Sequence, residues 1–392
     1  MLSSKILENP ETLEHRFIPP TLPTREQELS QLQERILTNF KETRSFDGIV
    51  LYGGVGTGKT HLAKRVALNV QETVGNLVSA YTNCRFNRRT YKTLTNIVGK
   101  VEKSIPKHGL ARDELIRILV RLIKQKSKKA ILIFDEIDAL FWGEEKKKAE
   151  DMLYSLSRLP EGLDLQGVSY TVIVISREVE LYTSLDKPTR ASFIQKELKL
   201  PTYGKEDMSN ILNYRAELAF KPNSISATSI NQIASHVAEN ASGNARVGID
   251  ILREAGKLVE RGRGTRVTSS IVRNVIGRHP TLPGIDYEML VGLGKQKLLL
   301  LLGIIRGLKS GENDFITRKE ASNYYRLASE NYGEEPRKTT QVYRYLNELN
   351  EKLPILNTSV TGKGRVGRST QIWVSVPLEQ LEQKIEGILE ET

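Results

Sequence analysis

The chain has 392 residues, with 58 Lys and Arg against 47 Asp and Glu, a formal net charge of +11, and 39% hydrophobic residues. At roughly 150 residues per domain this length excludes a single small module, and the ordinary hydrophobic content excludes wholesale disorder. The surplus positive charge points to a polyanionic partner such as nucleic acid. A single cysteine, Cys84, excludes an intrachain disulfide or a zinc site of several thiolates and fits a reducing compartment. No stretch approaches the roughly 20 apolar residues of a membrane span, and Met1 to Pro10 has no apolar signal-peptide run. The expectation is a soluble, cytoplasmic chain with no membrane partner.

In chain order, residues 1–24 read as irregular, because Pro10, Pro19, Pro20 and Pro23 break helices. Thr24 is the expected N-cap of a first helix whose Leu29, Leu32, Ile36 and Leu37 follow helical spacing. Asp47 to Tyr52, Ala130 to Phe134 and Tyr170 to Ile175 are apolar runs without alternation, as expected of parallel strands covered on both faces. Helical segments near Asp113 to Lys126 and Lys147 to Arg158 lie between them. The fold class expected is α/β, a parallel sheet with a base domain over residues 1–200. From Lys205 to His279 helices dominate and predict a small helical domain, 201–280. His279 to Gly284, with two prolines and a glycine, reads as a linker. Helices at Tyr287 to Leu308, Thr317 to Tyr332 and Thr339 to Asn350, then strands at Ile355 to Val360 and Thr370 to Val376, predict a winged-helix domain over 281–392.

Gly53-Gly54-Val55-Gly56-Thr57-Gly58-Lys59-Thr60 satisfies G-x-x-x-x-G-K-[ST] and sits between an expected strand and helix. Such a loop lets backbone N–H groups wrap phosphates at a helix N-terminus. Lys59 is expected to bridge the β and γ phosphates of ATP, and the Thr60 hydroxyl to ligate Mg²⁺; His61 completes the nucleotide-binding set. Ile131 to Asp138 ends a buried strand in two carboxylates, where open α/β sheets bind ligands. Asp135 is expected to hold Mg²⁺, and Glu136 to polarise the attacking water.

With these residues in view, the chain resembles the initiator clade of AAA+ ATPases, specifically the archaeal proteins similar to both the origin recognition complex and the helicase loader. The resemblance rests on the P-loop and acidic pair, on Phe17-Ile18-Pro19 followed by Arg25-Glu26, and on Thr82-Asn83-Cys84-Arg85. It extends through Leu153 to Arg158 and Gly243-Asn244-Ala245-Arg246 to the winged helix. It implies an AAA+ sheet with a helical lid, ATP or ADP and Mg²⁺ as cofactors, origin duplex DNA as a partner, and recruitment of an MCM-type replicative helicase, with other initiator paralogues as further partners. Arg246 corresponds to the lid's second sensor, Phe17 and Ile18 to the segment packing on adenine, though an arm that merely covers a core edge fits about equally, and Arg190 to a trans-acting arginine, though a surface arginine capping that segment fits equally. The first sensor, often asparagine, is replaced by Ser176-Arg177-Glu178, so either Ser176 takes that role or hydrolysis is slow.

Residues 81–129 carry fourteen Lys and Arg against three acidic side chains, which matches the whole net charge. In the family an insertion after the second strand contacts DNA, and Arg85 to Lys107 occupies that place. Arg85, Arg88, Arg89 and Lys92 are suited to neutralise phosphates, whereas Arg112 to Lys129 reads as a solvated helix face. Arg337 to Leu346 reads as a recognition helix: Val342, Leu346 and Leu349 face inward, and Arg337, Thr340, Gln341, Tyr343 and Arg344 are left for the groove. Thr361 to Arg368 reads as a cationic wing with Lys363, Arg365 and Arg368. Residues 281–392 hold 15 basic and 15 acidic side chains, so this domain has to bind by local placement rather than bulk charge. Two other readings stay open, a DNA-binding transcription regulator with a vestigial ATPase and a multimeric motor.

Overall fold

Apolar strands buried on both faces need helices above and below, and the chain alternates accordingly. The computed structural model describes residues 6–106, 108–141, 143–162, 167–177, 185–262, 264–278, 287–310, 315–353, 355–360, 370–374, 376 and 378–390. The elements run α1 (Glu26–Lys41), β1 (Phe46–Tyr52), α2 (Lys59–Val74), β2 (Val78–Asn83), the short α3 (Cys84–Asn87), α4 (Thr90–Val101) and α5 (Arg112–Lys126). They continue with β3 (Lys129–Asp135), α6 (Glu145–Gly162), β4 (Ser169–Ser176), α7 (Lys187–Phe193) and β5 (Lys196–Lys199). The five strands form one sheet, order β2-β3-β4-β1-β5, and every pairing is parallel.

Period-two alternation divides the strand side chains between two cores. Ile49, Leu51, Ile131, Ile133, Ile173 and Ile175 pack with Leu32 and Ile36 of α1 and Leu62 and Val66 of α2. Val50, Leu132, Phe134, Val172 and Val174 face Leu94, Leu115 and Leu153 of α4, α5 and α6. Because all strands run the same way, the turns after β1, β3 and β4 emerge at one end of the sheet on neighbouring strands. Ligand crevices form there.

Three further helices, α8 (Lys205–Ala219), α9 (Ala227–Asn240) and α10 (Ala245–Arg261), form a lid within the same compact unit, Met1–Ser269. The N-terminal arm is sewn to it. Lys221 donates its backbone N–H to the Ile6 carbonyl at 2.9 Å, Glu8 donates to Ala219 at 2.8 Å, and Leu7 pairs with Phe220.

The second unit, Ser270–Thr392, holds α11 (Ser269–Arg278, which begins one residue earlier), α12 (Tyr287–Val291), α13 (Lys295–Ser310), β6 (Ile316–Thr317), α14 (Arg318–Asn331), α15 (Thr339–Lys352), β7 (Leu356–Val360), β8 (Thr370–Val374) and α16 (Leu378–Glu390). β6, β8 and β7 pair antiparallel. Leu298 to Leu302 on α13 are all at most 2% exposed, because helices α14, α15 and α16 and the small sheet share one core around them. No helix among the described residues is long and apolar enough to cross a membrane.

Gly303 is where α13 meets α14, and a Cβ there would lie 2.6 Å from the Tyr325 backbone nitrogen. Gly303→Ala is therefore expected to force the helices apart and cost about 2 kcal/mol. Urea denaturation of the full chain would show it as an earlier transition at unchanged slope.

Several local expectations are corrected. The first helix starts at Glu26 with Arg25 as N-cap, not Thr24, which takes a left-handed φ of +70°, because Arg25 is pulled inward to bond the P-loop. Pro10 opens a 3-10 turn, Pro10–Leu13, instead of breaking structure, since its fixed φ suits the first helical position. The helix expected over 287–308 is two helices, parted where Gly294 takes φ +78°. β5 was missed because its alternating Lys196-Glu197-Leu198-Lys199 is that of a short edge strand. α16 was missed as well; it packs on α13, with Arg306 paired to Glu382 and Glu386 at 3.0 and 2.8 Å.

Candidate nucleotide site and nucleic-acid surfaces

Three strand ends and the lid enclose one cavity. The P-loop after β1 contributes Val55 to Lys59, followed by Thr60 and His61 of α2; β3 contributes Asp135 and Glu136, β4 Ser176 and Arg177, and the lid Tyr214, Arg215, Arg246 and Ile249. Loop and lid touch directly: Gly56 has φ +76°, and a Cβ there would lie 1.9 Å from Asn244 Oδ1, so only glycine fits. The Ala245 N–H donates to the Gly56 carbonyl at 3.3 Å.

Lys59 is 8% exposed and its Nζ donates to the carbonyls of Gly53 and Gly54 at 2.7 and 2.6 Å. Burial lowers its pKa to about 8, against the opposing pull of Asp135. The Thr60 hydroxyl donates to Asp135 Oδ2 at 2.8 Å, and the Tyr81 hydroxyl donates to the same oxygen at 2.8 Å. Burial pushes the Asp135 carboxyl up, and these two bonds act against it. The hydroxyl and carboxylate thus converge as hard oxygen donors, a set that fits Mg²⁺ sharing the rest of its shell with phosphates and water. Asn83 stands in register with Asp135, and its side chain caps α3 by accepting the Arg85 N–H at 2.9 Å.

Glu136 follows with φ +50°, rare for a non-glycine residue. Burial raises its carboxyl, but the Arg177 guanidinium, helped by Arg85 and Arg246, outweighs burial and holds it below the usual range. Arg177 Nη2 donates to Glu136 Oε1 at 2.6 Å. Ser176 is 1% exposed at the end of β4 and borders the same cavity. Arg246 is exposed in the first turn of α10, whose N-cap Asn244 accepts the Arg246 N–H at 3.1 Å. Arg190 lies on α7, with Nη2 donating to the Leu185 carbonyl at 3.4 Å.

The arm reaches the cavity differently from expectation. His15, Pro19, Leu22 and Pro23 line it, and Phe17 and Ile18 do not. The Phe17 ring lies under Arg215, 5.3 Å from its guanidinium carbon, and the Phe17 carbonyl stands 3.1 Å from His61 Nε2. Ile18 offers its carbonyl to Arg65 at 3.1 Å. These two residues anchor the arm between base and lid, because their backbone carbonyls are taken by side chains from both. Burial and the nearby Arg215 and Arg246 charges bring His61 down to about 4, so it stays neutral.

Arg25, Tyr81, Arg177 and Arg215 were not read as site residues. Arg25 is 5% exposed and donates to the carbonyls of Thr57 and Pro201 and to the Tyr203 hydroxyl. Arg215 donates to the Thr12 carbonyl at 2.6 Å. Their chemistry depends on partners far away in sequence. Arg177 stood out only as a departure from the sensor pattern and Arg25 only as part of a motif, while Tyr81 lies two residues before Asn83 on the same strand face.

Of the cations considered for DNA, Arg88, Arg89 and Lys92 share one groove with Arg112 and Lys148. Arg85 turns the other way: burial and the Arg177 charge lower its pKa to about 10, against the pull of Glu136. Phe86 between them is 89% exposed. Arg112 and Lys126 are ion-paired to Asp151 and Glu102, in keeping with a solvated helix face. On α15, Val342, Leu346 and Leu349 are buried as expected, Thr340 and Arg344 are exposed and Gln341 is partly so, while Arg337, expected on the same helix, is exposed two residues before its start. Lys363, Arg365 and Arg368 lie outside the described residues.

Comparison with known proteins covers nearly the whole chain. Residues 23–195 match the family described as an ATPase domain predominantly from Archaea, 209–276 the Cdc6 AAA+ ATPase-type lid domain, and 288–384 the Cdc6 C-terminal winged helix domain. The ORC1-type DNA replication protein of Pyrococcus abyssi is 30% identical over 381 residues, 95% of this chain and 88% of its own length. That of Sulfurisphaera tokodaii, ORC1-type DNA replication protein 1, is 29% identical over 95% of this chain and 91% of its own. The Aeropyrum pernix Orc1 protein, solved in complex with DNA, superposes with a TM-score of 0.71 at 25% identity over 98% of each chain. Cdc6p of Pyrobaculum aerophilum gives 0.58 at 27% over 98% of this chain and 99% of its own. With a P-loop sheet, a Cdc6 lid and a Cdc6 winged helix in this order, the chain belongs to the archaeal Orc1/Cdc6 family of AAA+ DNA replication proteins.

Proposed function

We propose that the chain is an ATP-dependent replication initiator that binds origin duplex DNA and helps recruit or load an MCM-type helicase, with slow ATP hydrolysis as its switch. The observation that carries this reading is the end-to-end similarity to an Orc1 protein solved on DNA. ATP lies in the cavity between P-loop and lid. Lys59 exchanges the Gly53 and Gly54 carbonyls for β and γ phosphate oxygens, and Arg246 reaches the γ phosphate from the lid. Thr60 and Asp135 would hold Mg²⁺, which would supply neutralisation of phosphate charge. Glu136 accepts a proton from the attacking water, and Ser176 orients that water. Nucleotide acts by binding two arrangements of the domains unequally, as any ligand switch must.

DNA is held by Arg337 just before α15, by Thr340, Gln341 and Arg344 on it, by Lys363, Arg365 and Arg368 of the expected wing, and by Arg88, Arg89 and Lys92 near α4, with Arg85 as a phosphate contact if it turns outward. Such a protein works in the cytoplasm on the nucleoid, alongside other initiator paralogues. Replacing Arg337 and Arg344 together with Ala is expected to weaken duplex binding and reduce the slope of log affinity against log salt by about 2. Fluorescence anisotropy at several salt concentrations measures both quantities.

The Glu136–Arg177 ion pair favours a second reading, a DNA-binding regulator of transcription with a vestigial ATPase. Genome-wide footprinting of the tagged protein separates the two. Footprints at mapped replication starts support the initiator; footprints confined to promoters away from starts overturn it.

A further inference from the structure

We infer that Arg177 is a positioning residue that pins the Glu136 carboxylate away from the attacking water, so that hydrolysis waits for this ion pair to open. The inference rests on the proposed role of Glu136 as the group that receives the water proton.

β3 and β4 are adjacent and parallel, with Phe134 in register with Val174. Glu136 and Arg177 therefore leave neighbouring strands at the same end of the sheet, and their side chains meet at 2.6 Å, only 20% and 25% exposed. A charge-assisted contact this short, partly shielded from water, occupies one carboxylate oxygen and fixes the direction of the other. The Glu136 backbone is itself held in the left-handed region at φ +50°. A non-glycine residue stays there only when its surroundings impose it. Arg85 and Asp138 complete the charged cluster, and Arg246 adds a further positive charge from the lid.

A short amide at position 177 could hold a water but could not bind a carboxylate as an ion pair. An arginine can do either of two things in this cavity: stay on Glu136, or move to a phosphate oxygen, which its planar fork suits equally well. Lys59 and Arg246 border the same space and supply the cations a γ phosphate needs, so the guanidinium stays on Glu136 when nucleotide binds and hydrolysis waits for the pair to open. Once released, Glu136 takes one proton as the water oxygen bonds to the γ phosphorus and the bond to the bridging oxygen breaks. The products are ADP and inorganic phosphate, and the proton passes from Glu136 to solvent, with no further reactant.

The test is single-turnover ATP hydrolysis by the purified full chain, with affinity for a non-hydrolysable ATP analogue measured in parallel. Arg177→Asn is expected to raise the hydrolytic rate about tenfold while analogue affinity changes less than about twofold. Arg177→Lys should fall between the two, since an ammonium holds a carboxylate at one point only. Adding Glu136→Gln to Arg177→Asn should abolish the gain. A rate that falls or stays constant in Arg177→Asn at preserved affinity overturns the inference, and so does a collapse of analogue affinity, which would make Arg177 a nucleotide ligand. If Arg177→Asn accelerates hydrolysis and Glu136→Gln does not remove the gain, the assignment of Glu136 fails and the inference with it.

Discussion

Lys59→Met is expected to weaken ATP binding by about two orders of magnitude or more while leaving the nucleotide-free chain at least as stable as before. The first effect follows from deleting a cation that meets two phosphates inside a loop shielded from water. The second follows from what burial does to this ammonium. Its pKa falls from the ordinary 10.5 to about 8, so the unfolded chain binds the proton more tightly than the folded one. Such a group opposes folding at every pH below about 8, and the opposition fades between about 8 and 10.5. Methionine removes it at neutral pH, a relief of about 3 kcal/mol at most, set against the lost bonds to Gly53 and Gly54. Thermal melting with and without ATP reads both effects at once. A variant that melts higher on addition of ATP, as the parent chain is expected to, would show that the nucleotide binds elsewhere.

Arg25→Ala is expected to cost about 3 kcal/mol and to weaken nucleotide binding although Arg25 need not touch phosphate. Its guanidinium donates to Thr57 of the P-loop at 3.4 Å, to Pro201 at 2.5 Å and to the Tyr203 hydroxyl at 3.3 Å. It also pairs with Glu28 at 2.9 Å and lies 4.4 Å from the centre of the Tyr203 ring. One side chain thus ties the start of α1, the phosphate loop and the connection from β5 into the lid. Truncation leaves buried carbonyls without donors and strands Glu28. A drop of about 6–12 °C in melting temperature is expected for a unit of this size. Arg25→Lys should recover little, because an ammonium cannot reach three acceptors in different directions.

The P-loop, the acidic strand end and the lid helices were legible in the sequence because each is specified locally. Glycines at set spacing, an unbroken Ile and Leu run, and helical periodicity state their outcome within a dozen residues. The small-sheet and helix-face assignments of the winged helix were legible for the same reason: Val342, Leu346 and Leu349 recur at helical spacing and are buried. Arg177 was legible only as a departure from a pattern. Its meaning depends on Glu136, 41 positions earlier, and nothing in Ser176-Arg177-Glu178 announces that pairing. Arg215 is further removed still, bonding Thr12 across 203 positions. The break in the helix expected over 287–308 was missed for a different reason. Gly292 and Gly294 flank an apolar residue that keeps helical periodicity, so the pattern continues where the backbone does not.

The stitching of the arm onto the lid has a consequence for how the protein is made. Ile6 and Glu8 bond the backbone around Ala219 and Lys221, and the Leu7 N–H donates to Glu260 at 3.0 Å. During synthesis these first residues emerge more than 200 positions ahead of their partners. Ile6 and Leu7, both at most 3% exposed in the finished protein, must therefore wait uncovered while the sheet forms. Contacts of such long range form late and slowly. Chains halted before residue 260 would carry a folded sheet and a loose arm, and limited proteolysis of stalled ribosome complexes should cut the arm until α10 has cleared the exit tunnel.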